Sequence, residues 1–214
     1  MGKTPEQVRA IVEELKALYP DSLCSLQYEK DYELLFAVRL AAQCTDERVN
    51  QVTPALYARF PTLEALAGAD VAEVERYVHS TGFFRAKARD IVLSAQMLLR
   101  DYGGRVPGTM EELLKLPGVG RKTANLILGD VYHVPGVVVA DTHCIRICGK
   151  LGLSHGKEPE KVEQQLRKIL PPEKSNDFCH RLVLFGREIC TARSPKCGQC
   201  PLSPFCLEAN PEAK

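Results

Sequence analysis

The strongest constraint on the fold is the spacing of the apolar side chains, which follows the helical period along most of the 214 residues. Helix-start signals recur at short intervals and predict a nearly all-α chain. Thr4 and Pro5 begin the first predicted helix. Its apolar face carries Val8, Ile11, Val12, Leu15 and Leu18. The range 32–43 predicts a second, almost wholly apolar helix, which we expect at the centre of the core.

Polar residues that favour helix N-termini precede three further patterns, at Asp46, Asp70 and Thr109. Thr109 and Glu112 have the spacing of a capping box, which predicts a short helix that ends near Leu116. Later apolar patterns predict helices over 85–102, 122–132, 142–151, 160–170 and 176–188.

Two segments interrupt the helical pattern. Pro54 breaks the pattern that begins at Asp46, so we expect that helix to kink or split there. Residues 137–139 are three valines with strand propensity, but a lone apolar run has no strand to pair with. We therefore expect a buried extended connector. Pro135 and Gly136, just before it, mark the best candidate boundary between two lobes.

The charge of the chain excludes a uniformly basic coat for nucleic acid, because 28 Lys and Arg face 27 Asp and Glu and the formal charge is +1. The longest apolar stretch, 134–140, is far shorter than the roughly 20 residues that span a membrane. The first residues contain no apolar signal segment, so we expect a cytoplasmic protein with no membrane partner. Because no coiled-coil or interface pattern is visible, we expect a monomer.

A glycine-rich turn separates the helix that ends near Leu116 from the one that begins near Lys122. The sequence of 116–124 is Leu-Pro-Gly-Val-Gly-Arg-Lys-Thr-Ala. Two glycines in three residues allow a tight turn with exposed amides, and the next helix adds its own unpaired N–H groups. This pattern is typical of a helix-hairpin-helix motif, which binds the phosphates of DNA without reading its bases. An ordinary turn between two helices is the alternative.

Lys122 lies beside Arg121 in the first turn of the helix after this hairpin. The positive end of the helix dipole and the neighbouring guanidinium both favour the neutral amine, which is the nucleophilic form. A solvated cation that binds phosphate is the alternative. Asp141 follows the apolar connector and could exchange protons with a substrate near Lys122. It could also cap the helix that begins at Thr142, and the two roles are compatible.

Four of the nine cysteines crowd into residues 190–206. They are Cys190, Cys197, Cys200 and Cys206. We infer a metal centre, because disulfides are disfavoured in a reducing compartment. Zinc and a [4Fe–4S] cluster both accept four thiolates. Zinc sites more often use two Cys-x2-Cys pairs, whereas this loop has one, so the spacing favours iron–sulfur.

Basic side chains around this cysteine loop give a local excess of positive charge that could face phosphates. They are Arg181, Arg187, Arg193 and Lys196, with Glu188 as the one acid among them. A second basic run consists of Arg85, Lys87 and Arg89. Its i, i+2 spacing spreads these side chains around a helix and argues against a single patch.

Taken in order, the hairpin, the segment 139–143 (Val-Ala-Asp-Thr-His) and the cysteine loop resemble the endonuclease III family, the bifunctional DNA glycosylases and AP lyases of the helix-hairpin-helix superfamily. Residues 42–46 (Ala-Gln-Cys-Thr-Asp) also match, and the resemblance covers essentially the whole chain. It implies a two-lobed, all-α fold with double-stranded DNA bound across the cleft between the lobes. The implied six-helix barrel covers 23–134, with the hairpin motif at about 109–131. The implied cluster lobe combines 1–22 and 135–214.

The resemblance also implies the chemistry. Lys122 attacks C1′ of the deoxyribose at a flipped-out, damaged pyrimidine, releases the base and forms a Schiff base; β-elimination then cuts the strand 3′ to the lesion. Asp141 assists, and the four loop cysteines hold a [4Fe–4S] cluster. Gln43 fills the gap left by the flipped nucleotide, and Phe83 stands where many members carry a leucine wedge. The residues implied to contact DNA are Gln43, Phe83, Pro117, Gly118, Val119, Gly120, Arg121, Arg193 and Lys196.

Three alternatives remain for comparison. Related adenine glycosylases lack a lysine at the position of Lys122 and carry an extra C-terminal domain, so the sequence disfavours them. A noncatalytic DNA-binding module would bind damaged DNA without cleaving it. A structural zinc protein would lack the visible absorption of an iron–sulfur cluster.

Overall fold

The computed structural model describes residues 2–21 and 24–209, and within these ranges it contains α-helices and short 3-10 turns but no β-strand. The helices are α1 (Pro5–Leu18), α2 (Asp31–Leu40), α3 (Asp46–Arg59), α4 (Leu63–Ala67), α5 (Val71–Val78), α6 (Phe84–Tyr102), α7 (Met110–Leu113), α8 (Arg121–Asp130), α9 (Thr142–Leu151), α10 (Pro159–Ile169) and α11 (Ser175–Glu188). The predicted all-α class is confirmed. None of the helices in these ranges has the length and apolar content that a bilayer span requires.

The described residues divide into two compact units. One lies within 24–132 and contains α2 to α8. The other combines both ends of the chain, within 1–23 and 133–214, and contains α1, α9, α10, α11 and the cysteine loop.

In the unit within 24–132, α4 and α5 pack against the long helix α6, and α2 contacts α3, α6 and α8. The central position predicted for the second helix is confirmed, because Leu34, Phe36 and Leu40 of α2 are at most 1% exposed. This helix ends at Leu40, earlier than predicted. The predicted helix included Gln43, whose φ of +55° lies outside the α-helical region.

Several predicted helix boundaries in this unit need correction. Thr45, and not Asp46, caps α3, because its hydroxyl accepts the N–H of Arg48 at 3.2 Å. Of the kink or split predicted at Pro54, the split is wrong, since α3 continues through Pro54 without a break. Asp70 caps α5 as expected.

The short helix before the hairpin also differs in detail from its prediction. Thr109 accepts the N–H of Glu112 at 3.3 Å, as a cap should. The Glu112 carboxylate, however, accepts from the Thr109 hydroxyl at 2.7 Å. A capping box requires the Thr109 backbone N–H in that position. The helix ends at Leu113 rather than near Leu116.

In the other unit, α11 packs against both α1 and α9. Four of the five apolar residues predicted for one face of α1 are buried, but Leu18, the last residue of the helix, is 36% exposed. Residues 137–140 form a buried segment without regular structure, as predicted for the connector. This segment leads directly to the N-terminus of α9.

Candidate functional site

The turn between α7 and α8 is a tight hairpin whose two glycines have different roles. Gly118 has a φ of +72°, a conformation that side chains disfavour. Gly120 is the N-cap of α8, and its carbonyl accepts the N–H of Ala124 at 2.9 Å. Both glycines are exposed. The first-turn amides of α8 have no carbonyl one turn before them, so this end of the helix favours an anion.

The hairpin is braced from within its own unit by an ion pair between two other helices. Nε and Nη2 of Arg39 lie 2.9 and 2.8 Å from Oδ2 of Asp90. A Cβ added to Gly118 would lie 2.7 Å from the same carboxylate oxygen. Ser94 donates a hydrogen bond of 3.2 Å to the Pro117 carbonyl. None of these bracing residues was predicted from the sequence, and Gly118 is the one local signal of such a close approach.

Lys122 is the second residue of α8, and its side chain is exposed beside the hairpin. The following turn is anchored in the core by Ala124 and Ile127, both 0% exposed. Among the described residues, the Lys122 ammonium has no hydrogen bond or ion pair. An unengaged amine at the positive end of a rigid helix is well placed to react with a bound molecule.

Asp141 is the N-cap of α9, which confirms its predicted capping role. Its Oδ1 accepts the N–H of Cys144 at 2.7 Å, and its own N–H donates to the Val139 carbonyl at 2.9 Å. The carboxylate is half-buried. Because the cap uses Oδ1, Oδ2 remains available for proton exchange.

All four cysteines of the loop line one cavity in the unit formed by the two ends of the chain. Short 3-10 turns bring them together, over Cys197–Gln199 and Ser203–Phe205. Arg146 from α9 donates a hydrogen bond to Sγ of Cys190 at 3.5 Å. Lys150, one turn later on α9, also lines the cavity.

The chemistry of this donor set fits an iron–sulfur cluster. All four side chains are cysteines that line one cavity, and four thiolates are the donor set that a [4Fe–4S] cluster takes. Burial raises the thiol pKa of Cys190 and Cys200, while the charges of Arg146 and Lys150 oppose this for Cys190. These cations favour the thiolate that a metal centre needs.

Of the basic residues around the loop, Arg193 and Lys196 are exposed, and the Lys196 N–H donates to the Ile189 carbonyl at 2.9 Å. The prediction that Arg181 adds to this surface charge is wrong. Arg181 is 4% exposed, and its Nε donates to the Tyr19 carbonyl at 3.0 Å.

Gln43 and Phe83 share an unusual backbone in the unit within 24–132. Their φ angles are +55° and +48°, in the left-handed region that costs most residues about 1–2 kcal/mol. Gln43 is exposed, and Phe83 is 69% exposed directly after Gly82, which also has a positive φ. Such strain concentrates at functional sites.

As its spacing predicts, the second basic run, Arg85, Lys87 and Arg89, does not form a single patch. Arg85 and Arg89 are exposed, whereas Lys87 is completely buried.

Comparison with known proteins gives consistent matches. Residues 36–172 match the family model of the HhH-GPD superfamily base excision DNA repair protein, and residues 190–206 match that of the iron-sulfur binding domain of endonuclease III. The chain is 44% identical to endonuclease III of Synechocystis sp. over 98% of this chain and 95% of that one. It is 38% identical to endonuclease III of Bacillus subtilis over the same shares. The structure of a trapped endonuclease III–DNA covalent intermediate matches with a TM-score of 0.91 and 39% identity, over 99% of this chain and all of that one.

Proposed function

The chain belongs to the endonuclease III family of the HhH-GPD superfamily, and we propose that it excises oxidised pyrimidines from double-stranded DNA and cleaves the strand 3′ to the resulting abasic site. The family consists of DNA N-glycosylases and AP lyases of base excision repair that contain a [4Fe–4S] cluster. The observation that carries this proposal is the exposed Lys122 ammonium, unengaged among the described residues, in the first turn of α8.

Lys122 is the proposed nucleophile. Its neutral Nζ attacks C1′ of the deoxyribose, and the bond to the damaged base breaks with its electron pair leaving on the base. Nitrogen then loses one proton, and its lone pair forms a C1′=N bond as the C1′–O4′ bond breaks with its electron pair on O4′, which takes up a proton. The product is a ring-opened sugar joined to Nζ as a protonated imine. Removal of a proton from C2′ then expels the phosphate from C3′, which cuts the strand, and water hydrolyses the imine to restore the amine.

Asp141 is the proposed carboxylate that assists these proton transfers. Oδ1 is engaged with the N–H of Cys144, so we assign the assisting role to Oδ2. The cap restricts the rotation of the side chain, which keeps that oxygen in a defined position.

DNA binding is proposed to use the hairpin amides and a small number of cations. Pro117, Gly118, Val119, Gly120 and Arg121 contact the phosphates on one side of the hairpin, and Arg193 and Lys196 contact them from the cysteine loop. Gln43 and Phe83 enter the duplex where the nucleotide leaves it. A damaged base stacks and pairs poorly, so extruding it costs less than extruding a normal base.

Cys190, Cys197, Cys200 and Cys206 are the proposed ligands of the cluster. When bound, the cluster supplies a rigid cross-link through four iron–sulfur bonds. That cross-link holds the loop carrying Arg193 and Lys196, and the loop binds phosphate through these two cations. We also propose that the protein acts as a monomer on chromosomal DNA in the cytoplasm.

The proposal is tested by incubating the holoprotein with duplexes that contain oxidised pyrimidines, an abasic site or no lesion, with and without borohydride. We expect a covalent complex and a 3′ unsaturated aldehyde end on the oxidised and abasic duplexes alone. Tight binding to these duplexes with neither product would instead establish a noncatalytic damage-binding module.

A further inference from the structure

Lys87 is a buried cation that the proposed chemistry does not use. Its side chain is 0% exposed, near the start of α6. Nζ donates to the carbonyl of Leu40 at 2.8 Å and to the carbonyl of Thr81 at 2.7 Å. Leu40 is the last residue of α2, and Thr81 ends the 3-10 turn before α6. One ammonium therefore joins two chain segments that are about 40 residues apart.

Each of these carbonyls lies just before one of the strained residues. Gln43 follows Leu40 by three positions, and Phe83 follows Thr81 by two. The backbone N–H of Lys87 also donates to the Phe83 carbonyl at 3.1 Å. The Lys87 side chain thus holds each segment at one point, and the ordinary helical hydrogen bond of its backbone N–H adds a second link to the Phe83 segment.

The Thr81 end of this link is itself firmly held. The Thr81 hydroxyl is buried and donates to the Val78 carbonyl at 2.8 Å. Left-handed residues other than glycine persist only where surrounding contacts determine them. Since Gln43 and Phe83 are exposed, their own side chains supply few such contacts. Instead, the hydrogen bonds from Nζ of Lys87 to the Leu40 and Thr81 carbonyls restrict the backbone near Gln43 and Phe83.

We propose that Lys87 is a positioning residue that fixes the spacing of Gln43 and Phe83, so that both side chains enter a damaged duplex together. This inference rests on the proposed roles of Gln43 and Phe83 in DNA. Lys87 contacts neither DNA nor the reacting atoms in this account. Its effect on damage recognition is transmitted through the two backbones that it ties together.

The test is a double-mutant cycle on lesion discrimination, which requires no catalysis. The readout is the affinity of the holoprotein for a duplex containing a tetrahydrofuran abasic analogue, divided by its affinity for the same duplex without it. Lys87→Met, which keeps the shape but removes the donors, should lower this ratio about 10-fold in the wild-type background. In a Gln43→Ala/Phe83→Ala background, the same change should lower it less than about twofold.

Arg181→Met is the matched control, because Arg181 is also a buried cation that donates to a backbone carbonyl, in the other unit. It should leave the ratio unchanged. Lys87→Arg, which keeps a cation with several donors, should retain most of the wild-type ratio. If Lys87→Met does not fold, Lys87→Gln enters the same cycle.

Equal effects of the Lys87 substitution in both backgrounds would overturn the inference, because a purely structural role acts regardless of the inserting side chains. The inference would also be overturned if the wild type bound the duplexes with and without the abasic analogue with equal affinity, which is a ratio of one. Borohydride trapping is scored separately. Discrimination with the expected coupling but without trapping would support the role of Lys87 and contradict the proposed lyase.

Discussion

Gly118 lies directly against the guanidinium of Arg39, and a Cβ added to Gly118 would be 2.4 Å from Nε of Arg39. Such an approach leaves no room for any side chain. The hairpin therefore rests on a part-buried charge pair, Arg39 with Asp90, rather than on apolar packing alone. Removing one member of such a pair leaves the other uncompensated, which makes the brace sensitive to substitution.

Gly118→Ala is expected to destabilise the protein, because it combines a left-handed backbone with a steric clash. We expect the free energy of unfolding to fall by about 2 kcal/mol or more, measured by urea unfolding. Gly120→Ala is the control, since Gly120 has a φ of −102° and open space around its Cβ position. Its effect should stay within about 1 kcal/mol. Equal stability of Gly118→Ala and the wild type would contradict the geometry.

Asp141→Asn separates the structural role of this residue from its chemical role. Asparagine and aspartate are comparable N-caps, so the free energy of unfolding should change by no more than about 0.5 kcal/mol. The amide cannot exchange protons as a carboxylate does, so the single-turnover rate of strand cleavage should fall at least about 100-fold. A stable and fully active Asp141→Asn protein would remove Asp141 from the mechanism.

The proposed phosphate contacts of the cysteine loop predict a specific salt dependence. Replacing both Arg193 and Lys196 with alanine should reduce the slope of log affinity against log salt by about 2, since each phosphate contact contributes about 0.9. Lys168→Ala removes an exposed cation of α10 outside the proposed contacts and should leave the slope unchanged. If the wild type, the Arg193 and Lys196 double variant and Lys168→Ala all had the same slope, the DNA contacts would lie elsewhere.

The burial of Lys87 predicts a pH-dependent stability difference. Desolvation lowers the pKa of Lys87 below its ordinary value of 10.5. Between the folded pKa and 10.5 the unfolded chain binds more protons at this group, so its contribution to the free energy of unfolding rises with pH. The difference between the wild type and Lys87→Met should therefore increase as the pH approaches 10.5 from below. Urea unfolding at several pH values measures it, and a difference that falls with pH would contradict the shift.

The features that could be predicted from the sequence are those determined by neighbouring residues. The helical period of the apolar residues predicts the all-α fold class, and α9 begins and ends where this pattern predicts. Two adjacent cap-forming residues, Thr45 and Asp46, leave the start of α3 uncertain by one position. The apolar pattern alone continues to Gln43 and carries no sign of its left-handed backbone.

The features that the sequence did not predict depend on contacts between distant segments. Lys87 has the same local character as Arg85 and Arg89, and only the packing of α6 buries it. In the same way, Gly118 signals that another group approaches the hairpin closely, but the sequence does not identify Arg39 and Asp90 as that group. These polar contacts between distant segments require the tertiary structure.

The most direct measurement of the central claim is the identification of the amine that borohydride links to an abasic duplex. After proteolysis, mass spectrometry should place the adduct on Lys122. Lys122→Ala should trap no complex. Lys115→Ala, which removes an exposed lysine paired with Glu111 at 3.0 Å just before the hairpin, should trap as well as the wild type. An adduct on any other amine, together with undiminished trapping by Lys122→Ala, would contradict the account.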